Sequence, residues 1–192
     1  MYQSDSDLTN VTQLPLIDEE PTLPDSVAGA APRRSPEDGT AGLADHGPWR
    51  HHLVGLLNGA LATELVCALR YRRHHFTSHG LASTTVWDGF LAHAGDEALH
   101  ADRLAQRIVQ LGGEPDFSPD TLARRSHAAY DDAPDLKTMM RADLLAERIA
   151  IERYSAIVVL IGDRDPATRR LIEEIVVDKR HHADELSGWL VD

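Results

Sequence analysis

An all-α bundle of four helices with one long crossover is the fold class this sequence predicts, and three observations predict it. Four long stretches repeat apolar residues at spacings of three and four, the period of a helix with one buried face. Two of the connections between them are short and the third is long. The composition leans helical: 42% of residues are hydrophobic, only 5% are aromatic, and Ala, Leu and Arg are plentiful. A chain of 192 residues suits one domain with a small appendage.

Residues 1–46 form the appendage. They hold five of the ten prolines and nine acids against only Arg33 and Arg34, so −7 of the net −12 sits there, without periodicity. A disordered acidic tail is expected, with the bundle occupying 47–192. The first helix is predicted from Trp49 to Ser78, closing near Gly80. The second starts behind Ser83 as N-cap and runs to a stop at Gly112 and Gly113. A connection from Glu114 to Pro134 carries Pro115, Pro119 and Pro134. The third helix runs from Asp135 to Ile161, Gly162 and Asp163 make a tight turn, and Pro166 opens the fourth, which reaches Leu190. The short links make two antiparallel hairpins. The link of about 20 residues is long enough to travel the length of a bundle.

Composition also excludes function classes. No run of about 18 apolar residues is present, so no membrane span is expected. The opening MYQSDSDLTN lacks the pattern of a secretion signal. A single cysteine, Cys67, forms no internal disulfide, which points to a reducing, cytoplasmic setting. The charge of −12 argues against DNA as a partner, since phosphate binding needs a basic face.

The chemistry lies where the apolar stripes are interrupted. The inward stripes read Leu57, Leu61, Glu64, Ala68, Tyr71, His75 on the first helix and Phe90, Ala94, Glu97, Ala101, Leu104, Ile108 on the second. The third reads Met140, Leu144, Glu147, Ile151, Tyr154, Val158, and the fourth Ile172, Ile175, Lys179, His182, Leu186. Glu64 and Glu97 lie about 17 and 16 residues from the first turn. Glu147, Lys179 and His182 lie about 17, 15 and 18 from the last. At about 1.5 Å per residue these side chains meet in one layer. Three carboxylates buried together repel one another and cost several kcal/mol each without a cation. Oxygen and imidazole donors together suit iron, manganese or zinc. Glu97 and His100, three residues apart, share one helix face. A lone pair of this kind is weak, but agreement of four helices at one depth is not. One Glu from each of two helices with Glu-x-x-His from the other two is the ligand pattern of di-iron four-helix bundles.

At these residues the chain resembles the ferritin-like superfamily, in particular the bacterioferritins and the Dps-like proteins. Glu64-Leu-Val-Cys-Ala-Leu-Arg-Tyr71 is similar to the first-helix motif of bacterioferritin. Asp96-Glu-Ala-Leu-His-Ala-Asp102, Asp143-Leu-Leu-Ala-Glu147 and Asp178-Lys-Arg-His-His-Ala-Asp184 resemble the motifs of the other three helices. The resemblance covers residues 50–190. It implies Glu64 and Glu147 as terminal ligands and Glu97 as a bridge between two irons. It implies His100 and His182 as one imidazole per metal, with Tyr71 beside the site. Tyr154 lies on the inward stripe of the third helix, seven residues after Glu147. The implied cofactor is non-haem iron, one or two ions per subunit. The implied activity is a ferroxidase, coupling Fe(II) oxidation by oxygen or peroxide to iron storage inside a homo-oligomeric shell.

Three positions depart from the family. Lys179 stands where a second bridging Glu is usual, and the periodicity places it inward independently of the resemblance. Ala98 stands where bacterioferritin has its haem-ligating Met, so haem is not expected. The chain ends after the fourth helix, which favours twelve subunits over twenty-four. Three Glu and one charged Lys sum to −2, matching one divalent ion, where four Glu would match two. Burial lowers a lysine pKa and neighbouring carboxylates raise it; with three acids around Lys179 the charged form is expected.

The expectation is therefore one metal or none, with slow turnover. The rival reading is a non-catalytic shell subunit whose metal site has become a Lys–carboxylate salt-bridge cluster. Turning the fourth helix by about 100° would offer Asp178 and His181 instead, but would expose Ile175 and Leu186. Cys67 reads as a small packed residue. Of the pairs His51-His52, His74-His75 and His181-His182, only His182 and His75 are expected to point inward.

Overall fold

The computed structural model describes residues 47–191, and the acidic tail expected over 1–46 lies outside the described residues. Five helices follow in order: α1 Gly47–Thr77, α2 Thr84–Gln110, α3 Pro119–Arg125, α4 Leu136–Ile161 and α5 Pro166–Trp189. The four long ones begin and end within two residues of the sequence expectation. Local chemistry explains the ends. The Ser83 hydroxyl accepts from the Val86 N–H, Asp135 accepts from Thr138 and Asp165 from Thr168, each satisfying an N–H that the first helical turn leaves unpaired. Gly112, at φ 75°, closes α2 as its Gly113 neighbour donates back to the Ile108 carbonyl at 2.9 Å. Gly162, at φ 53°, allows the tight α4–α5 turn.

Asp165 does more than cap. Its carboxylate takes two hydrogen bonds from one nitrogen of Arg107, at 2.9 and 2.8 Å, and so ties the start of α5 to the end of α2. Asp165→Ala is expected to lower stability by about 1–2 kcal/mol in urea unfolding, the size of a lost N-cap.

Cross-helix contacts set the directions. Tyr71 on α1 meets Phe90 on α2, while Glu64 meets His100, so these helices are antiparallel. Tyr71 bonds Glu147 and Glu64 bonds Tyr154, so α1 and α4 are antiparallel too. His93 meets Glu185 and Arg103 meets Glu174, which makes α2 and α5 antiparallel. Hence α2 and α4 run in the same direction, and the chain must return the full length of the bundle between them.

That return runs alongside α1 and is pinned to it at successive heights. Asn58 receives the Asp116 N–H at 2.8 Å, Thr63 receives the His127 N–H at 2.9 Å, Arg70 reaches the Ala129 carbonyl at 2.9 Å, and Arg73 the Ala133 carbonyl at 3.1 Å. Within it lies α3, where the sequence reading has only a proline-bearing connection. Its start at Pro119 follows the preference of proline for the first helical position, a signal the three prolines of this segment conceal.

The expected stripes are buried, except that Ile151 and Val158 are only half-buried. The core has two apolar clusters. One gathers Leu53, Leu57, Leu61, Leu104, Ile108, Ile161 and Ile172. The other gathers Tyr71, Phe90, Met140, Leu144 and Leu186. Between them in sequence along every long helix lies a charged residue. By length and composition α1 is long and apolar enough to cross a membrane, although it contains no unbroken apolar run of that length. Its Leu53, Leu57, Leu61 and Val66 are buried in the bundle core, which accounts for that hydrophobicity.

Candidate metal centre

Each long helix delivers its charged residue to the same layer because the two hairpins are in register. Glu64, Glu97, Glu147 and Lys179 are completely buried, and His100 and His182 are 2% exposed. Two clusters result. Glu64, Glu97 and His100 form one; Glu97, Glu147 and His182 form the other. The donor atoms of each lie within 4.8 Å of one another, and Glu97 belongs to both. All five ligands expected from the sequence therefore come together, and so does the lysine.

The Lys179 ammonium stands among the three carboxylates. Its Nζ lies 3.0 Å from Glu64 Oε2 and 3.4 Å from Glu147 Oε2, and it donates to Glu97 Oε2. Burial works against its charge, but Glu147, Glu64 and Glu97 together hold it well above the usual lysine range. Glu97 is held well below the usual carboxylate range: burial alone would raise it, but Lys179 and hydrogen bonds to Glu64, His100 and His182 prevail. Burial pushes Glu64 up to about 7, opposed by Lys179 and reinforced by Glu97. Of the two, Glu97 carries the charge, and Glu64 is the carboxyl nearer protonation.

The imidazoles are aimed. His100 Nδ1 faces Glu64 Oε2 at 3.2 Å, and its Nε2 lies 3.1 Å from Asp178. His182 Nδ1 faces Glu97 Oε1 at 3.1 Å, and its Nε2 lies 3.3 Å from Asp96. An outer carboxylate that takes the Nε2 proton orients the ring and leaves Nδ1 for the interior, the arrangement metal-ligating histidines use. Both rings favour the protonated form. Against burial, Glu64 and Glu97 push His100 up to about 9, and Glu147 and Glu97 push His182 up to about 10. Tyrosines steady the carboxylates: Tyr154 donates to Glu64 Oε1, and Tyr71 donates to Glu147 Oε1 at 2.7 Å.

Several residues sit where sequence reasoning does not put them. Asp178, an alternative ligand beside His181 on the sequence alone, is an exposed partner of His100, while the His181 side chain is 72% exposed. His93 escapes the sequence reading altogether. It is buried, its ring stacks on His182 at 4.1 Å between centroids, and its Nε2 meets Glu185 at 2.7 Å. Its spacing of four before Glu97 was the available signal. His74, expected outward, is fully buried, with Nδ1 2.8 Å from Asp143. Asp143 also pairs with Arg70 at 2.7 Å. Here the spacing Arg70-x-x-x-His74 places both on one helix face, toward α4. His75 is buried as expected, but bonds the Trp87 carbonyl at 2.8 Å, away from the layer. Cys67 packs with Ala128 and Ala146, and burial pushes its thiol up.

Chemically, the layer offers three carboxylates and two imidazoles, a donor set suited to a borderline or hard divalent metal. The buried Glu147 Oε2 has no hydrogen-bond donor and faces the Lys179 ammonium as an ion pair at 3.4 Å. A buried carboxylate oxygen without a donor is what a bound cation would satisfy.

Comparison with known proteins places this arrangement. Residues 54–192 match the ferritin-like domain family. A nutrient stress-induced DNA-binding protein of Synechococcus is 34% identical over 139 residues, covering 70% of this chain and 78% of that protein. The bacterioferritin of Mycobacterium avium is 28% identical, covering 72% of this chain and 83% of that protein. Among solved structures, the dodecameric thioferritin of Bacteroides fragilis, a bacterioferritin-related protein, superposes with a TM-score of 0.71. It is 28% identical and covers 74% of this chain and 86% of that one.

Proposed function

The chain belongs to the ferritin-like domain family, and from that premise we propose that it is an iron-binding subunit of a homo-oligomeric cage whose oxidation centre is altered by Lys179. One observation carries this reading: two buried Glu/His clusters share Glu97, with a lysine ammonium among their carboxylates. Fe(II) is the substrate, and oxygen or peroxide the oxidant. Glu64, Glu97, Glu147, His100 and His182 line the layer that takes the iron. Tyr71 and Tyr154 hold Glu147 and Glu64, and Asp178 and Asp96 hold the imidazoles.

The lysine limits what the centre does. Protonated, it has no lone pair to offer a metal. Three carboxylates and one ammonium leave −2, the charge of one divalent ion. A single iron supplies one electron, whereas reduction of oxygen to peroxide takes two. Turnover is therefore slow, because two irons must pass through the site in succession. Ala98 offers no sulfur to a haem, so the iron is non-haem. DNA binding, which the Synechococcus relative's name carries, finds no support in a net charge of −12.

A second reading has its own support. Lys179 already touches all three carboxylates, and with both imidazoles protonated three cations face three carboxylates, so the layer is neutralised without metal. Such a chain would be a non-catalytic shell subunit. Elemental analysis of the assembled protein from iron-replete cells, with its native mass, separates the two. About one bound iron per subunit in a particle of about twelve 21.2 kDa chains is expected from the first reading. An assembled but metal-free particle would leave the second.

A further inference from the structure

The three carboxylates of the centre are unequally committed. Glu64 is fully engaged: Tyr154 donates to its Oε1, and both Lys179 Nζ, at 3.0 Å, and His100 Nδ1, at 3.2 Å, face its Oε2. The other oxygen near His100 Nδ1 is Glu97 Oε2, at 3.8 Å, and Lys179 donates to that atom as well. Both oxygens of the Glu64–His100 half that could share a metal with this imidazole thus face the ammonium. The opposite half is different. Glu147 Oε1 accepts from Tyr71, and its buried Oε2 has no hydrogen-bond donor, meeting the ammonium as an ion pair at 3.4 Å, longer than the ammonium's contacts to Glu64 and Glu97. Glu97 Oε1 faces His182 Nδ1 alone. His182 is held with Nε2 toward Asp96, and the buried His93 ring lies flat against it.

From this asymmetry the geometry points to a single metal position, formed by Glu97, Glu147 and His182, with Lys179 serving as the permanent cation of the Glu64–His100 half. The inference rests on the iron-binding reading and deepens it by naming the half that takes the ion. Charge agrees with geometry. Lys179 offsets one of the three carboxylate charges it touches, which leaves −2 to balance one divalent ion. Three protein donors, Glu97 Oε1, a Glu147 oxygen and His182 Nδ1, leave further coordination positions for solvent or oxidant. A second dication on the other side would have to displace the ammonium from Glu64 Oε2 and Glu97 Oε2. Lys179 has no exit, because its side chain is completely buried.

Co(II) is a suitable probe: it resists air oxidation in these ligands better than Fe(II), and its visible absorption reports imidazole ligation. Anaerobic Co(II) titration of the assembled full-length protein should saturate at one equivalent per subunit. His182→Ala should weaken binding more than about 100-fold, since even partners outside a ligand set are worth 10- to 100-fold. His100→Ala should keep one equivalent, with affinity within about threefold. His182→Gln and His100→Gln keep side-chain volume and a donor, and carry the same test should the alanine variants fail to assemble. Binding lost with the His100 variants but kept with the His182 variants would overturn the assignment, and so would two equivalents in the unaltered chain. No Co(II) in the unaltered chain but two equivalents in Lys179→Glu would overturn the half-site alone. No Co(II) in either would overturn the iron-binding reading itself.

Discussion

Lys179→Glu will raise metal loading from one to two ions per subunit and speed Fe(II) oxidation by at least about tenfold, a barrier change of about 1.4 kcal/mol. The reason is electrostatic. At an effective dielectric of about 20, unit charges 4 Å apart interact by about 4 kcal/mol, so the ammonium repels a nearby dication by about twice that. The substitution removes this repulsion and adds a carboxylate from α5 between the two clusters. The charge of the layer becomes −4, the complement of two divalent ions. The same change withdraws the internal cation from three buried carboxylates. With a chelator present, the variant should therefore unfold at lower denaturant, by about 3–5 kcal/mol, and metal should restore the loss. Anaerobic Fe(II) titration, stopped-flow oxidation and denaturation with and without chelator read all three. One equivalent and an unchanged rate would mean that Lys179 does not govern loading.

Asp143→Ala will destabilise the protein by about 3–5 kcal/mol without changing metal stoichiometry. Asp143 is fully buried and is shared by Arg70 at 2.7 Å and His74 at 2.8 Å. Arg70 also bonds the Ala129 carbonyl, so this pair holds α1, α4 and the crossover together. Removing the anion strands a buried guanidinium, which costs more than the net worth of the pair. Asp143→Asn keeps volume and one acceptor, and should cost less. Urea unfolding of the two variants gives the comparison; a loss under about 1 kcal/mol for alanine would show that water reaches Arg70 when the pair is broken. Metal titration supplies the control, because the Asp143 carboxylate pairs with Arg70 and His74, neither of them a proposed ligand.

The helices and the ligand layer were legible because both are written in spacing. An apolar stripe with one charge at mid-length gives direction around the helix axis, and counting from the turns gives height along it. Those two coordinates place Glu64, Glu97, Glu147, Lys179 and His182 without any knowledge of contacts. They do not describe the far end of a side chain. His74 looks like half of a surface pair because nothing local marks Asp143 as its partner, 69 residues away. Likewise α3 escapes notice, since a helix of 7 residues is too short to show a period.

By itself, then, the sequence determined the four helices, the single crossover and the meeting of three carboxylates, two imidazoles and a lysine in one buried layer. Periodicity and chain length set those. Only the tertiary structure decided that Asp96 and Asp178 aim the imidazoles, that Tyr154 and Tyr71 hold opposite carboxylates, and that the ammonium closes on Glu97 and Glu64 while Glu147 Oε2 is left without a hydrogen bond. Those are matters of side-chain torsion and of packing across α2 and α5. They depend on which neighbour each polar atom meets once all four helices close, and no single helix encodes that.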